Sequence, residues 1–367
     1  MGVGRRALEE MGVSPELWRG RRVLLTGHTG FKGSWLALWL HSLGAEVTGY
    51  SLAPPTDPSL FQLADVGAVT SSLEADVRDL PSLERAFAAH RPEVVIHMAA
   101  QSLVRRSYAD PVETYETNVL GSVNLLEAAR RAAEPPRVVI NVTTDKVYEN
   151  LERDEPYRED EPKGGHDPYS NSKACSELVT AAYRNAFFAS GSPIALASAR
   201  AGNVIGGGDW GEDRLVPDLI RGALAGQPVA IRNPDAIRPW QHVLNPLSGY
   251  LRLAEAMWES PEYADAWNFG PDERDEVSVR HVADRLSELW DGGIAWERDE
   301  ADHPHEAHYL RLDSSKARTR LGWAPRWDLD QALTSTAAWH AGLAAGDDAR
   351  TLVLKQVEAF EAEPVSR

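Results

Sequence analysis

Cysteine is all but missing, with Cys175 the single one in 367 residues. One thiol closes no internal disulfide and cannot build a Cys-rich zinc site, which excludes a secreted, stapled scaffold. Positive charge is also short: 38 Lys and Arg stand against 55 Asp and Glu, a net charge of −17. Binding to phosphate backbones runs on clustered Lys and Arg that displace counterions, and no long basic run occurs, so no nucleic-acid partner is expected. No stretch approaches the roughly 18 uncharged apolar residues of a membrane span, and MGVGRRALEEMGVSPELWRG at the start holds no run of signal-peptide length. Internal repeats and low-complexity blocks are absent too. These absences lead to the expectation of a cytoplasmic protein with no membrane partner. At about 150 residues per domain, the length gives about two domains, or one large domain with an appended lobe.

From Arg21 onward, short apolar runs alternate with helix-periodic segments. The runs 21–27, 45–52, 93–100, 137–145 and 193–204 are rich in β-branched residues and continuously apolar, which suits parallel strands buried on both faces. Amphipathic stretches lie between them, among them 35–44, 110–132 and 169–190. The alternation predicts an α/β fold, a doubly wound parallel Rossmann sheet with a smaller C-terminal substrate lobe. The expected division is an N-terminal extension (1–18), a dinucleotide-binding domain (19–203, with 235–272 returning to it), a substrate lobe (204–234 and 273–345), and a C-terminal helix and tail (346–367).

Directly after the first strand comes TGHTGFKGSWL, with Gly27, Gly30 and Gly33 in the order G-x-x-G-x-x-G. Such spacing permits a tight turn, close backbone approach to a pyrophosphate, and phosphates seated on the N-terminus of the next helix. The loop residues Gly27, His28, Thr29, Gly30, Phe31, Lys32 and Gly33 are therefore cofactor candidates. Ala99 and Ala100 past the fourth strand, and Asp76 and Val77 after the third, join them. The acid that dinucleotide folds often carry at the end of the second strand is missing, since Tyr50 and Ser51 stand there. Ser51 is the candidate at that edge, and Lys32 is conceivable opposite a 2′-phosphate. His28 is bulky for this turn and is expected to crowd a dinucleotide.

YSNSK places Tyr169 and Lys173 at i and i+4 on one helix face, where an ammonium favours the phenolate and makes Tyr169 a base for an alcohol. The preceding strand ends at Thr143, Thr144, Asp145 and Lys146, and the carboxyl ends of strands are where such sheets bind ligands.

Together these motifs resemble the extended short-chain dehydrogenase/reductase superfamily, from Trp18 to about Trp339. More narrowly, TGHTGFKGSWL, TTDKVYEN, GNVIGGGDWGEDRLVPD, IRPWQHV and HPHEAHYLRLDSSKARTRLGW resemble the CDP-glucose 4,6-dehydratase family. The resemblance implies tightly held NAD, rather than NADP, and CDP-glucose as substrate. It implies that Tyr169 takes the 4-hydroxyl proton as hydride leaves C4, with Thr144 bonding the same oxygen and Lys173 beside the cofactor. Water is then lost across C5 and C6, and the hydride returns to C6. Asp145 is the expected acid for the departing hydroxyl. Where related dTDP-glucose dehydratases have a Glu base, this chain has Lys146, which can serve as C5 base only if burial or nearby cations depress its pKa, and otherwise supports the enolate. The rival readings are a dehydratase or epimerase of another nucleotide sugar, and a non-catalytic NAD-binding regulator.

Gln101, Ser102, Asn203, Trp210, Arg214, Arg232 and Arg238 are the expected substrate contacts, with Asn118 bracing the loop at Gln101. Lys32, Arg214, Arg232 and Arg238 should gather around one cleft, supplying locally the positive charge that the whole chain lacks. His303, His305 and His308 invite a metal reading, but no carboxylate or Cys set accompanies them at ligand spacing, so no metal is expected. The superfamily pattern implies a homodimer paired through 110–132 and 169–190.

Overall fold

The computed structural model describes residues 12–189, 191–301 and 309–364. Seven parallel strands form the central sheet: β1 (Arg22–Thr26), β2 (Glu46–Ser51), β3 (Ser71–Glu74), β4 (Val94–His97), β5 (Val138–Val142), β6 (Ala195–Arg200) and β7 (Ala266–Asn268). Their order is β7-β6-β5-β4-β1-β2-β3. The chain builds outward from β1 through β3, then returns to lay β4 on the other side of β1, so the switch point lies where Thr26 pairs with His97. At such a reversal the connecting loops part and leave a crevice beyond the strand ends.

Uniform apolar character in the strands follows from burial of both faces. Val23, Leu25 and Ile96 face one core with α1 (Phe31–Ser42), α6 (Leu244–Glu259) and α9 (Ala349–Ala362). Leu24, Val95 and Val139 face the other, packed on α2 (Leu80–His90) and the long helix α3 (111–131). A third core under α5 (Leu215–Ala225), α7 (Val279–Leu289) and α8 (Leu329–Ala344) gathers Val216, Leu219, Leu286 and Leu333. Among the described residues, no helix is long and apolar enough to cross a membrane.

Three local departures from the sequence pattern matter for the site. Helix α1 starts at Phe31 rather than near Trp35, because the glycine turn feeds straight into it. Helix α3 is interrupted by a π turn at Glu116–Leu120, which aims Asn118 inward. Such turns insert one extra residue and often re-aim a functional side chain. The run 193–204 is two strands: β6 stops at Arg200, and Val204–Ile205 pairs instead with Gln241–His242. Between them Asn203 adopts φ +28°, which turns the chain out of the sheet.

Candidate active site

The phosphate turn is shaped by what its glycines lack. Gly27 has φ +77°, and a Cβ there would lie 2.8 Å from the Ala99 amide nitrogen. A Cβ on Gly33 would overlap the Gly27 carbonyl. Side chains at either point would push α1 off the turn. Gly30 occupies the helix N-cap with no side-chain cap, so the first-turn N–H groups point at the crevice unclaimed by a cap. That is the cradle a pyrophosphate fills. Thr26 ties the turn to the next strand, its Oγ1 accepting from the amides of Met98 at 3.0 Å and Ala99 at 3.1 Å. Ala99 and Ala100, half-buried, follow at the mouth of β4.

Thr29 pairs with Ser51 across 2.8 Å and donates to the Leu52 carbonyl, fastening the turn to the end of β2. Asp76 accepts from the Arg78 amide at 2.9 Å and from its guanidinium at 2.6 Å. Its carbonyl accepts from Tyr50, so the phenol at the end of β2 is turned into the sheet. Val77 is buried against Gly121.

His28 does not project into the cleft. Its ring is fully buried, with Nε2 2.6 Å from Ser72 Oγ, Phe61 edge-on at 5.4 Å, and the space of a Gly49 side chain filled by the imidazole. Burial lowers its pKa to about 4, so it is neutral. The expected crowding of a dinucleotide has no ring in the cleft to act through. Lys32 likewise departs from a 2′-phosphate position. Its Nζ donates to Tyr250 Oη at 3.0 Å, and its charge is felt by Lys173, Arg214 and Asp145 rather than at the end of β2.

Past β5, Thr144 donates to Asp145 Oδ1 at 2.8 Å. Asp145 is 1 % exposed, packs against the bare Cα of Gly202, and its Oδ2 has no partner among the described residues. Lys146 follows in the same turn, half-buried, its amide donating to Thr144 Oγ1. Helix α4 (Pro168–Ala186) starts with Asp167 capping the Ser170 amide at 2.9 Å and brings up Tyr169 and Lys173. Tyr169 shares a hydrogen bond with the Thr144 hydroxyl and lies beside Asp145 and Arg214.

The expected lowering of the Tyr169 pKa by Lys173 is corrected by the geometry. Burial pushes the phenol up to about 12, only partly offset by Thr144. Lys173 Nζ donates instead to the Val142 carbonyl at 3.1 Å. Burial lowers that ammonium to about 8, against the pull of Glu177.

Sequence reasoning missed Glu177, although it stands one turn beyond Lys173 on the same helix face. Its carboxylate receives Arg200 Nη2 at 2.8 Å, Ser198 Oγ at 2.7 Å and the Thr143 hydroxyl, with both members of the ion pair buried. Burial alone would raise its pKa; Arg200 and the hydroxyls hold it down at about 2. This pair locks α4 to β5 and β6. A second omission is Tyr250, fully buried on α6.

The expected substrate contacts divide. Ser102 accepts from Arg214 Nη2 at 3.1 Å, and Arg214 is held by Asp209 at 3.0 Å, so both stand at the cleft with Tyr169. Gln101 is consumed as a brace: its amide groups bond Thr114 and both backbone groups of Leu103, while Asn118 clamps its backbone. Asn203 offers its carbonyl to Gln241. Trp210 meets His340 edge-on at 5.2 Å, its Nε1 buried without a partner among the described residues. Arg232 acts on Asp218 of α5, and Arg238 lies in the Ile237–Pro239 strand, which pairs with Glu276–Ser278. The structure thus brings Lys32 and Arg214 to Asp145, and Arg214 to Tyr169 as well, while Arg232 lies by Asp218 and Arg238 in the strand paired with Glu276–Ser278. His303, His305 and His308 lie outside the described residues.

Comparison with known proteins follows the same lines. The chain is 50% identical over 341 residues to the CDP-glucose 4,6-dehydratase of Salmonella typhimurium, covering 92% of this chain and 95% of that protein. It is 28% identical to the dTDP-glucose 4,6-dehydratase of Haemophilus influenzae, over 87% of this chain and 97% of that one. Among solved structures, the UDP-glucose 4-epimerase of Thermus thermophilus, in complex with NAD, superposes with a TM-score of 0.75 at 28% identity, covering 88% and 99% of the two chains. The dTDP-glucose 4,6-dehydratase of Streptomyces venezuelae, solved with NAD, shares the fold with a TM-score of 0.76 at 24% identity, covering 90% and 99%. With the GDP-mannose 4,6 dehydratase family model matching residues 24–336 on top of these likenesses, the chain belongs to that family of nucleotide-sugar dehydratases.

Proposed function

We propose that this chain is an NAD-dependent CDP-glucose 4,6-dehydratase, a hydro-lyase giving CDP-4-keto-6-deoxyglucose. Half-identity to such an enzyme over nearly its whole length supports the substrate. The observation that carries dehydration over epimerisation is Asp145: a buried carboxyl with one oxygen unpartnered among the described residues, beside Thr144 and Tyr169, is the acid that a departing hydroxyl needs and an epimerase does not. The glycine cradle and bare helix N-terminus suit NAD, with Ser51, Asp76 and Val77 at its adenosine end. When bound, NAD accepts the C4 hydride and returns it to C6.

The residues divide the rest. Tyr169 takes the 4-hydroxyl proton once it has lost its own, a phenolate that burial disfavours and that Thr144 and Arg214 favour, and Thr144 bonds the substrate oxygen. Lys173, still protonated at neutral pH, opposes the negative charge gathered there. Asp145 gives its proton to the C6 oxygen as water departs. Lys146 faces the enolate from the same turn. The CDP diphosphate falls to Arg214, Ser102 and Asn203, with Trp210 and Arg232 of the lobe formed by 204–234 and 273–345, and Arg238 of the Ile237–Pro239 strand, closing over the nucleotide.

A cytoplasmic homodimer completes the proposal. Val112 and Leu120 on α3, with Leu178 and Phe187 on and just after α4, are more than half exposed, and a second copy of the same two helices would cover them. The decisive experiment incubates the protein with NAD and a panel of CDP-, dTDP-, GDP- and UDP-hexoses and reads the alkaline absorbance of a 4-keto-6-deoxy sugar. Product from CDP-glucose above the others is expected; none from CDP-glucose would reject the assignment.

A further inference from the structure

Thr144, Asp145 and Lys146 share one short turn at the end of β5, of which Asp145–Val147 is a single 3₁₀ turn. A reacting group misplaced by about 1 Å can lose a hundredfold in rate, so whatever fixes this turn bears on the chemistry. The residues on either side of it do the fixing. At the entry, the Thr143 amide donates to the Ala199 carbonyl at 2.8 Å and its hydroxyl donates to Glu177 Oε1. At the exit, Tyr148 Oη accepts from Arg200 Nη1 at 2.7 Å and donates to Asn268 Oδ1 at 2.7 Å. Glu177 and Arg200 are each other's partners, through Nε to Oε1 and Nη2 to Oε2, both at 2.8 Å. One buried ion pair thus grips the turn at both ends.

The chemistry of the pair makes that grip directional. A guanidinium is a planar fork, and two of its nitrogens are spent on the carboxylate, so the direction of Nη1 follows from the placing of Glu177. Nη1 then divides its hydrogens between Tyr148 and the Glu159 carbonyl at 3.1 Å. The Tyr148 ring is packed independently, stacked on Tyr157 with centres 5.1 Å apart and with Lys163 Nζ 4.6 Å from its centre. Packing places the ring and the hydroxyl fixes where it stops. Asn268 closes the arrangement from β7, its amide donating to the Tyr157 and Asp313 carbonyls.

The two grips serve different halves of the turn. Thr143 adjoins Thr144, which bonds the oxygen on C4. Tyr148 follows Lys146 and Val147, on the half that carries Asp145 and Lys146 to C5 and C6. We infer that Tyr148, anchored by Arg200, is a positioning residue for the loss of water, acting through Asp145 and Lys146; the inference rests on the dehydratase reading above. Oxidation at C4 leans on Tyr169 and Lys173, which α4 spaces by itself, and on the Thr143 end of the turn. It should therefore tolerate the loss of the Tyr148 hydroxyl, whereas water loss should not.

The test uses Tyr148→Phe, which removes one hydroxyl and keeps the stacked ring. Its matched control is Tyr157→Phe, the other ring of the stack, whose hydroxyl bonds Asn150 and the Leu151 amide rather than the ion pair. Each is mixed with NAD and CDP-glucose and followed by the absorbance of reduced nicotinamide and by the yield of 4-keto-6-deoxy sugar. In Tyr148→Phe, reduced nicotinamide should form within about threefold of the wild-type rate and then persist, because hydride return waits on water loss. Its kcat for product should fall by about ten- to a hundredfold, with KM for CDP-glucose within about threefold. Tyr157→Phe should follow the wild type in both steps. Oxidation and product falling together in Tyr148→Phe, product unchanged there, or the same loss in Tyr157→Phe would overturn the inference. A Tyr148→Phe chain that does not fold would make the hydroxyl structural and overturn it equally. A wild type that makes no 4-keto-6-deoxy sugar from CDP-glucose would overturn the dehydratase reading and the inference with it, and is read before either variant is used.

Discussion

The cleft holds two lysine–tyrosine pairs built in opposite ways. Tyr169 and Lys173 share one face of α4, and the helix itself fixes their spacing. Lys32 and Tyr250 come from α1 and α6 and meet only because both helices pack on the same face of the sheet. In the first pair the lysine turns away from the phenol, to the Val142 carbonyl, and works on charge at a distance. In the second the lysine is bonded to the phenol directly. A motif can therefore place two groups without making them partners, and the fold can make partners of groups that no motif links.

The largest effect should come from the first pair. Tyr169→Phe should reduce turnover by about a thousandfold or more, while nucleotide-sugar binding by calorimetry stays within about tenfold, because the ring and most contacts remain. A variant that no longer binds would make Tyr169 a binding residue and dissolve the contrast. Next is the support behind that pair. Glu177→Gln leaves Arg200 buried without its counter-charge and should lower stability in urea by about 3–5 kcal/mol. In the wild type this contribution is present above about pH 4.5 and is lost as pH falls through about 2, because the folded carboxylate is held below its ordinary value. The smallest effect lies on the turn that carries Lys32. His28→Gly removes a buried ring between β2 and β3 and should cost about 1–3 kcal/mol, read as a lower Tm. Any tightening of NAD in that variant, measured by calorimetry, would have to arise from relaxation of the loop backbone.

Much of the frame was legible. The strand runs were readable because burial on both faces leaves a continuously apolar run of strand length, bounded by turn residues. The glycine turn and Tyr169–Lys173 were readable because each is fixed by neighbours within a few residues. What escaped depends on distance in sequence. Gln101 looked like a substrate contact until the π turn delivered Asn118 to it, and the helical turn before that Thr114, which no local pattern announces. Gly202 gives no hint that its missing side chain makes room for Asp145. Lys32 was visible as a cation in a phosphate loop, yet its partner lies 218 residues on. Charge counting set the question of local cations and found two of them, Lys32 and Arg214, beside the reacting groups.

The central claim is that one hydride leaves C4 and returns to C6 of the same sugar. CDP-glucose deuterated at C4, turned over with NAD, tests it directly by NMR of the product. Deuterium in the C6 methyl group of a 4-keto-6-deoxy sugar is the predicted result. Deuterium back on C4 of a sugar that keeps its 6-hydroxyl would mean an epimerase, and would contradict the account.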